Sequence, residues 1–276
     1  MATRDQRRRQ LAREKFARQQ QRRAERHGRT RRRTTVLVVG LAAVLAAGAA
    51  VYASVGLSGD GREDAAAPAP SATSRAPDPC RKAAPGKPGT RQWTKEPALS
   101  VDRSAGYTME LRTTCGDIEV ALDTAKAPHT VNSFNFLAGR GYFDHTRCHR
   151  LTEGGIFVLQ CGDPRGTGEG GPGYTIPDEN LKDSRLKGGV YPAGTVAMAN
   201  RYQAGTGKGR DTGGSQFFLV YRDSQLPPDY TPFGRITGGT DVLKKIADAG
   251  AAPPDGNDNT APNATVVIDK AVVRKS

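Results

Sequence analysis

A chain of 276 residues has room for one substantial domain with appendages, at roughly 100–200 residues per domain, and not for a fusion of two enzymes. Its formal charge of +13 would fit a nucleic-acid binder, but residues 1–33 alone hold 14 Lys and Arg against Asp5, Glu14 and Glu25, a net of +11. Only +2 is left for residues 34–276, which excludes a nucleic-acid-binding main body, and no nucleic-acid partner is expected.

Residues 1–33 read as a basic cytoplasmic segment. They lead into Val36–Leu57, 22 residues without a charge. As a helix this run rises about 33 Å, against a hydrocarbon core of about 30 Å. The predicted element over 34–57 is a transmembrane signal-anchor helix. Cleavage of the same segment as a signal peptide is the alternative, although the run exceeds the roughly 7–15 apolar residues of such a peptide. Arg31, Arg32 and Arg33 abut the apolar run and Ser58-Gly59-Asp60 follows it. This asymmetry keeps the N-terminus cytoplasmic and places everything beyond on the outer side of the cell membrane, with one span. Residues 58–100 hold seven of the eighteen prolines among Ala, Ser, Gly and Asp. Proline removes backbone donors and favours extended chain, so this stretch is predicted to be a disordered, semi-rigid spacer.

The folded domain is expected over 101–276, long enough to bury one good core. Tyr107–Arg112 and Asp117–Leu122 alternate apolar and polar residues around a Cys115-Gly116 turn. Ile156–Gln160, Thr195–Ala199, Gln216–Tyr221 and Val266–Ile268 are short apolar or β-branched runs bounded by turn residues, and all six read as strands. His129–Ala138, following Pro128, and Thr240–Ala249, followed by Gly250, carry helical spacing. Many strands with two helices give a mainly β domain, a barrel or sandwich whose ends the helices close.

Cys80, Cys115, Cys148 and Cys161 form an even set in a region expected to be exported, where disulfides persist and three pairings are open. Cys148 and Cys161 bracket a hairpin, which favours that pair and leaves Cys80–Cys115 to staple the spacer to the first strand. Free buried thiols are the alternative. A zinc site would need close Cys or His pairs, and no metal is expected.

Several nucleotide and hydrolase motifs fail on context. Gly166–Gly171 satisfies G-x-G-x-x-G, but Pro172-Gly173 follows, so no helix N-terminus is there for a pyrophosphate. Gly214-Ser215-Gln216 lacks the final glycine of a nucleophile elbow. What remains is one cation, one amide and several apolar side chains: Cys148-His149-Arg150-Leu151, then Phe157-Val158-Leu159-Gln160-Cys161-Gly162-Asp163. Further on stand Met198-Ala199-Asn200, Gly214-Ser215-Gln216-Phe217-Phe218 and Phe233-Gly234-Arg235. If the first two runs are paired strands, Arg150 lies across from Gln160.

These ordered motifs, over Tyr107 to Val273, resemble the cyclophilin family of peptidyl-prolyl cis-trans isomerases, and the Arg-, Ala- and Gly-rich style is similar to membrane-anchored or secreted actinobacterial members. The resemblance implies an eight-stranded antiparallel β-barrel capped by two helices, no cofactor, and proline-containing polypeptides as partners. It makes Arg150 the catalytic cation, Gln160 its orienting amide and Phe157 a catalytic neighbour in the proline pocket. Val158, Phe218 and Leu226 would line that pocket, with His149 and Tyr230 adjacent, while Ala199 and the Asn200 backbone receive the substrate chain and Gln216 completes the polar side. Phe217, alternating with Phe218, should face the core. The implied function is rotation of X-Pro bonds in exported or cell-surface polypeptides, assisting their folding; a membrane-tethered proline-peptide binding or holdase module is the alternative.

Two departures from the family pattern stand out. Gln225 occupies the place of a tryptophan and Tyr230 that of a histidine, so cyclosporin binding, to which the indole contributes in the family, should be weak. Arg201–Gly213 is a longer, basic, glycine-rich loop, read either as a rim of the substrate groove or as a tolerated insertion.

Overall fold

The computed structural model describes residues 77–203, 205–254 and 260–276. The basic segment, the expected membrane helix over 34–57 and the first part of the spacer lie outside the described residues. Among the described residues no helix is long and apolar enough to cross a membrane.

Strands β1 (Tyr107–Thr113) and β2 (Gly116–Leu122) form the opening hairpin, with Met109, Leu111, Ile118 and Val120 on the buried face, as their alternation requires. Helix α1 (Pro128–Gly139) starts on a proline, which tolerates the first turn because its missing donor is unpaired there anyway. The chain then runs through β3 (Thr146–Arg147), β4 (Arg150–Leu151), β5 (Val158–Cys161), β6 (Val190–Tyr191), β7 (Thr195–Met198), β8 (Phe217–Val220), β9 (Ser224–Gln225) and β10 (Pro232–Gly238). Helix α2 (Thr240–Asp248) and the long β11 (Val267–Lys275) complete it. A curled antiparallel sheet has the order β3-β11-β1-β2-β10-β7-β8-β5-β4, and β6 pairs with β9 apart from it.

The two edges of that sheet belong to one stretch of chain. Thr146 and Arg147 pair with β11, while Arg150 and Leu151 pair with β5. Between them the Cys148 amide donates to the Val266 carbonyl and the His149 amide to that of Gln160. The segment Thr146–Leu151 therefore bridges the sheet's ends, and it carries Arg150. The interior is filled by aromatic rings: Phe134 of α1 lies 4.6 Å from Phe233, 5.2 Å from Phe143 and 5.4 Å from Phe217, all fully buried. Phe217 thus faces the core as its alternation with Phe218 predicts. Phe218 belongs to a second, outer cluster with Val158, Leu186, Tyr191, Ala197 and Val220.

The main sheet holds nine strands where eight are expected, and besides the two-residue β3, β6 and β9, two longer strands differ from the sequence reading. β10 escapes it because Pro232, Gly234 and Gly238 look like turn punctuation. A Cβ on Gly234 would sit 2.7 Å from a Val120 methyl, so glycine there permits close approach of two strands. β11 runs seven residues past Ile268, masked by charges that are ion-paired: Lys270 to Asp144 (2.9 Å), Arg274 to Glu110 (2.8 Å) and Lys275 to Asp102 (3.0 Å).

The stretch 77–100, read from composition as the end of a disordered spacer, has neither helix nor strand, yet it is laid along the domain. Cys80 is bonded to Cys115, the Arg81 amide donates to the Thr114 carbonyl, and Asn132 accepts from the Ser100 amide and donates to the carbonyls of Pro97 and Ala98. Trp93 packs against Phe136 and Tyr142. Composition does not register these side chain-specific attachments.

The second disulfide joins Cys148 to Cys161, so both favoured pairings occur in the structure. Intact-mass measurement of the unreduced chain should show two disulfides and no alkylatable thiol; four reactive thiols in freshly prepared native protein would contradict this pairing.

Candidate active site

A single row of side chains crosses the outer face of the sheet. Register places Arg150 of β4 opposite Gln160 of β5, Gln160 opposite Phe218 of β8, and Phe218 opposite Ala197 of β7. Cross-strand neighbours in register project to the same face. The charged end of the row is braced by amides. An Arg150 Nη1 hydrogen is directed at Gln160 Oε1 at 3.4 Å, Gln160 Nε2 donates to Gln216 Oε1 at 2.8 Å, and Gln216 Nε2 donates to the carbonyls of Gly168 and Gly170, both at 2.9 Å.

The direction of this chain follows from its far end. Two backbone carbonyls can accept only, so Gln216 must present its NH2 to them and its oxygen to Gln160, which then turns its own oxygen toward Arg150. The carbonyls are held in turn by Asp163. This fully buried carboxylate accepts from the backbone amides of Arg165, Thr167, Gly168 and Gly170 at 2.8 to 3.0 Å, and from the Thr167 hydroxyl at 3.0 Å. Burial alone pushes the carboxyl pKa up, but the bonds from Gly170, Arg165 and Thr167 together outweigh it and hold it below the usual value.

The other end of the row is apolar. Val158 and Phe218 are buried, and Ala199, Leu226 and Tyr230 pack half-buried against their cluster. The Tyr230 ring stands edge-on to Phe218 at 5.5 Å, and its backbone exchanges hydrogen bonds with the Tyr191 hydroxyl. A cleft of about 710 Å³ adjoins the row, lined by Gln160, Gln216, Ala199 and Asn200 together with Thr94, Lys95 and Glu96.

Most of the sequence-predicted residues therefore meet here: Arg150, Gln160, Val158, Ala199, Gln216, Phe218, Leu226 and Tyr230. Phe157 and His149 are placed differently, whereas Asn200 lines the cleft with its side chain turned to a structural role. Phe157 lies outside the apolar cluster, edge-on to Tyr221 at 5.9 Å and with the Arg222 guanidinium 3.4 Å over its ring. The Asn200 side chain donates to the Asp229 carbonyl at 2.8 Å and to Asp178 at 3.3 Å, a structural tie. His149 is 6% exposed with neither ring nitrogen hydrogen-bonded, and burial lowers its pKa against the opposing pull of Asp163. A neutral, buried imidazole carries no proton to a substrate. Gln225 sits exposed at the rim, its amide donating to the Gly188 and Gly189 carbonyls at 2.9 and 3.0 Å. The Arg201–Gly213 loop is fastened to the same rim, because Arg210 stacks on Tyr202 at 3.5 Å and pairs with Asp229.

Sequence reasoning missed Asp163 and the glycine loop as parts of the site. The available signal was an aspartate followed by small residues whose amides can converge on its carboxylate. Among the described residues no group of three His, Cys, Asp or Glu side chains could hold a metal ion.

A guanidinium directed along an apolar row by neutral amides is suited to polarising a bound amide without bond cleavage. The chain belongs to the cyclophilin type peptidyl-prolyl cis-trans isomerase family, whose sequence model matches residues 108–273. It is 47% identical over 174 residues to a probable peptidyl-prolyl cis-trans isomerase B of Mycobacterium leprae, covering 60% of this chain and 56% of that protein. With peptidyl-prolyl cis-trans isomerase B of Bacillus subtilis it shares 39% identity over 132 residues, 48% of this chain and 83% of the relative. The chain thus spans little more than half the length of the mycobacterial relatives it matches. A crystal structure of a Cryptosporidium parvum cyclophilin type peptidyl-prolyl cis-trans isomerase is similar at a TM-score of 0.50 and 27% identity, over 62% of this chain and 99% of that one.

The burial of His149 has a measurable consequence. Its folded-state pKa lies below the roughly 6.5 of an unfolded chain, so in the window below 6.5 the unfolded state binds the extra proton and stability falls as pH falls. Urea unfolding at about pH 7 and about pH 5.5 should show this loss, and His149→Leu should reduce it. Identical pH dependence in the two proteins would contradict a neutral buried imidazole.

Proposed function

We propose that this protein accelerates cis-trans rotation about X-Pro bonds in polypeptides. The observation that carries the reading is the Arg150–Gln160–Gln216 chain lying in one row with the apolar cluster of Val158, Phe218, Leu226 and Tyr230. Unaided rotation is slow because amide resonance sets a barrier of about 18–20 kcal/mol. In the twisted state the proline nitrogen loses its conjugation and gains a basic lone pair. A guanidinium hydrogen aimed at that nitrogen stabilises the twisted state more than either planar one. The apolar cluster seats the pyrrolidine ring and excludes water, and Gln160 holds the guanidinium so that little reorganisation is needed as the bond turns. No proton is transferred and no covalent bond changes, in keeping with a neutral His149.

The clients in this proposal are exported or cell-surface polypeptides, the protein being held at the membrane by residues 34–57 with its isomerase domain outside. The charge asymmetry around the apolar run supports that topology, and two disulfides fit an oxidising compartment. Affinity for cyclosporin is proposed to be weak, since the rim position that would supply an indole holds Gln225, tied to the Gly188 and Gly189 carbonyls.

Arg150→Ala should lower kcat/KM for an Ala-Pro peptide at least tenfold, about 1.4 kcal/mol of transition-state stabilisation, with an unchanged circular dichroism spectrum. Full activity in that variant would overturn the mechanism. Tight peptide binding without turnover by the unmodified chain would replace the enzyme by a holdase.

A further inference from the structure

The strap formed by residues 77–100 lies outside the matched family region, and it contacts residues next to the catalytic hydrogen-bond chain from two sides. On one side the Trp93 amide donates to the Pro172 carbonyl at 2.8 Å, and Gln92 Nε2 donates to the Gly171 carbonyl at 3.3 Å. Gly173 takes a positive φ of 91° there, and a Cβ on it would meet the Trp93 carbonyl at 2.6 Å, so strap and loop are in close contact. These bonds fall directly after Gly168 and Gly170, whose carbonyls fix Gln216. Pro172 also packs near Gly214, two residues before Gln216: a Cβ there would lie 3.1 Å from the proline ring. On the other side the Trp93 indole rests on Tyr142, with ring centroids 5.9 Å apart, and the Tyr142 hydroxyl lies 3.3 Å from Ser215 Oγ, whose own hydrogen goes to the Gly162 carbonyl at 2.7 Å, so the phenol is the donor. Ser215 is the immediate neighbour of Gln216.

We propose that Trp93 is a positioning residue for catalysis, the strap acting through the glycine loop and through Ser215 to hold the Gln216 amide in register with Gln160 and Arg150. The inference rests on the isomerase reading and extends the site to a segment beyond the family domain. Physically, Gln216 must satisfy two carbonyls and one amide donor at once, a geometry that small displacements of the loop would break. Asp163 fixes the loop from within and leaves its Gly171–Gly173 end to the strap. Among the strap's anchors the one beside this loop is Trp93, the sole tryptophan, wedged against Phe136 at 5.2 Å as well as Tyr142. Aromatic packing of this kind contributes beyond its buried area.

A double-mutant cycle on the full chain tests this, with Ala-Pro peptide isomerisation as the readout. Trp93→Ala should lower kcat/KM about fivefold, in kcat more than in KM, yet change it less than twofold when Gln216→Ala is already present, as expected for residues acting through one network. Trp93→Phe should recover most of the loss. An equal loss in both backgrounds, or no loss in the unmodified background, overturns the proposal. Should Trp93→Ala fail to fold, Gln92→Ala makes the same comparison from an exposed side chain, with a smaller loss that must likewise vanish beside Gln216→Ala. Absence of isomerisation by the unmodified chain would overturn the functional reading and this inference together, whereas activity indifferent to the strap overturns the inference alone.

Discussion

A carboxylate buried without a cation governs the geometry of this site. Asp163 is fully enclosed, and its charge is balanced by four backbone amides and one hydroxyl converging from the loop that follows it. Burying such a charge unpaired would be prohibitive, so the loop can fold only where those amides reach it. Hydrogen bonds to charged groups contribute roughly 1.5–3 kcal/mol each, against about 1 for neutral pairs. The loop's carbonyls are thereby pointed outward at Gln216, and every amide along the path to Arg150 has its orientation decided in sequence. Neutral groups alone brace the guanidinium, which leaves its charge available to a ligand instead of quenching it in an ion pair.

The sheet supplies the other half of the constraint. Arg150 stands on the short segment that joins the sheet's two edges, where each flanking strand is only two residues long. So short a ladder has few hydrogen bonds to fix its position. The Cys148–Cys161 bond spans that ladder beside Arg150 and Gln160, with Cα atoms 4.0 Å apart. Closing a loop of 13 residues in the unfolded chain is an entropic restriction of about 3 kcal/mol. The placement of Arg150 and sheet closure thus fall at one place in the molecule.

The sequence made the periodic parts legible. β1, β2 and both helices follow apolar spacing to within a residue or two, and the alternation of Phe217 and Phe218 correctly separates inner core from outer cluster. Arg150 opposite Gln160 follows from the motif order once strands are assumed. Parts held by individual polar contacts escaped. β10 is punctuated by glycines that serve strand packing, and β11 is disguised by charges that are ion-paired to other segments. The 77–100 strap reads as spacer because its anchors, a disulfide, one indole and one asparagine, leave no trace in composition. Asp163 stood in a recognised motif without a role, since its partners are backbone amides that only the fold brings together. The placement of Phe157 against Tyr221 and Arg222 depends on where β5 begins, and the sequence left that boundary two residues early.

The central claim is that isomerisation depends on a guanidinium held by an amide chain, not on an apolar pocket alone. Exchange NMR spectroscopy of an Ala-Pro peptide with Gln160→Leu separates the two, because leucine keeps apolar volume while removing both ends of the amide. The account predicts that the peptide still binds and that enzyme-driven cis-trans exchange falls at least about tenfold. Exchange at the rate of the unmodified chain would contradict it.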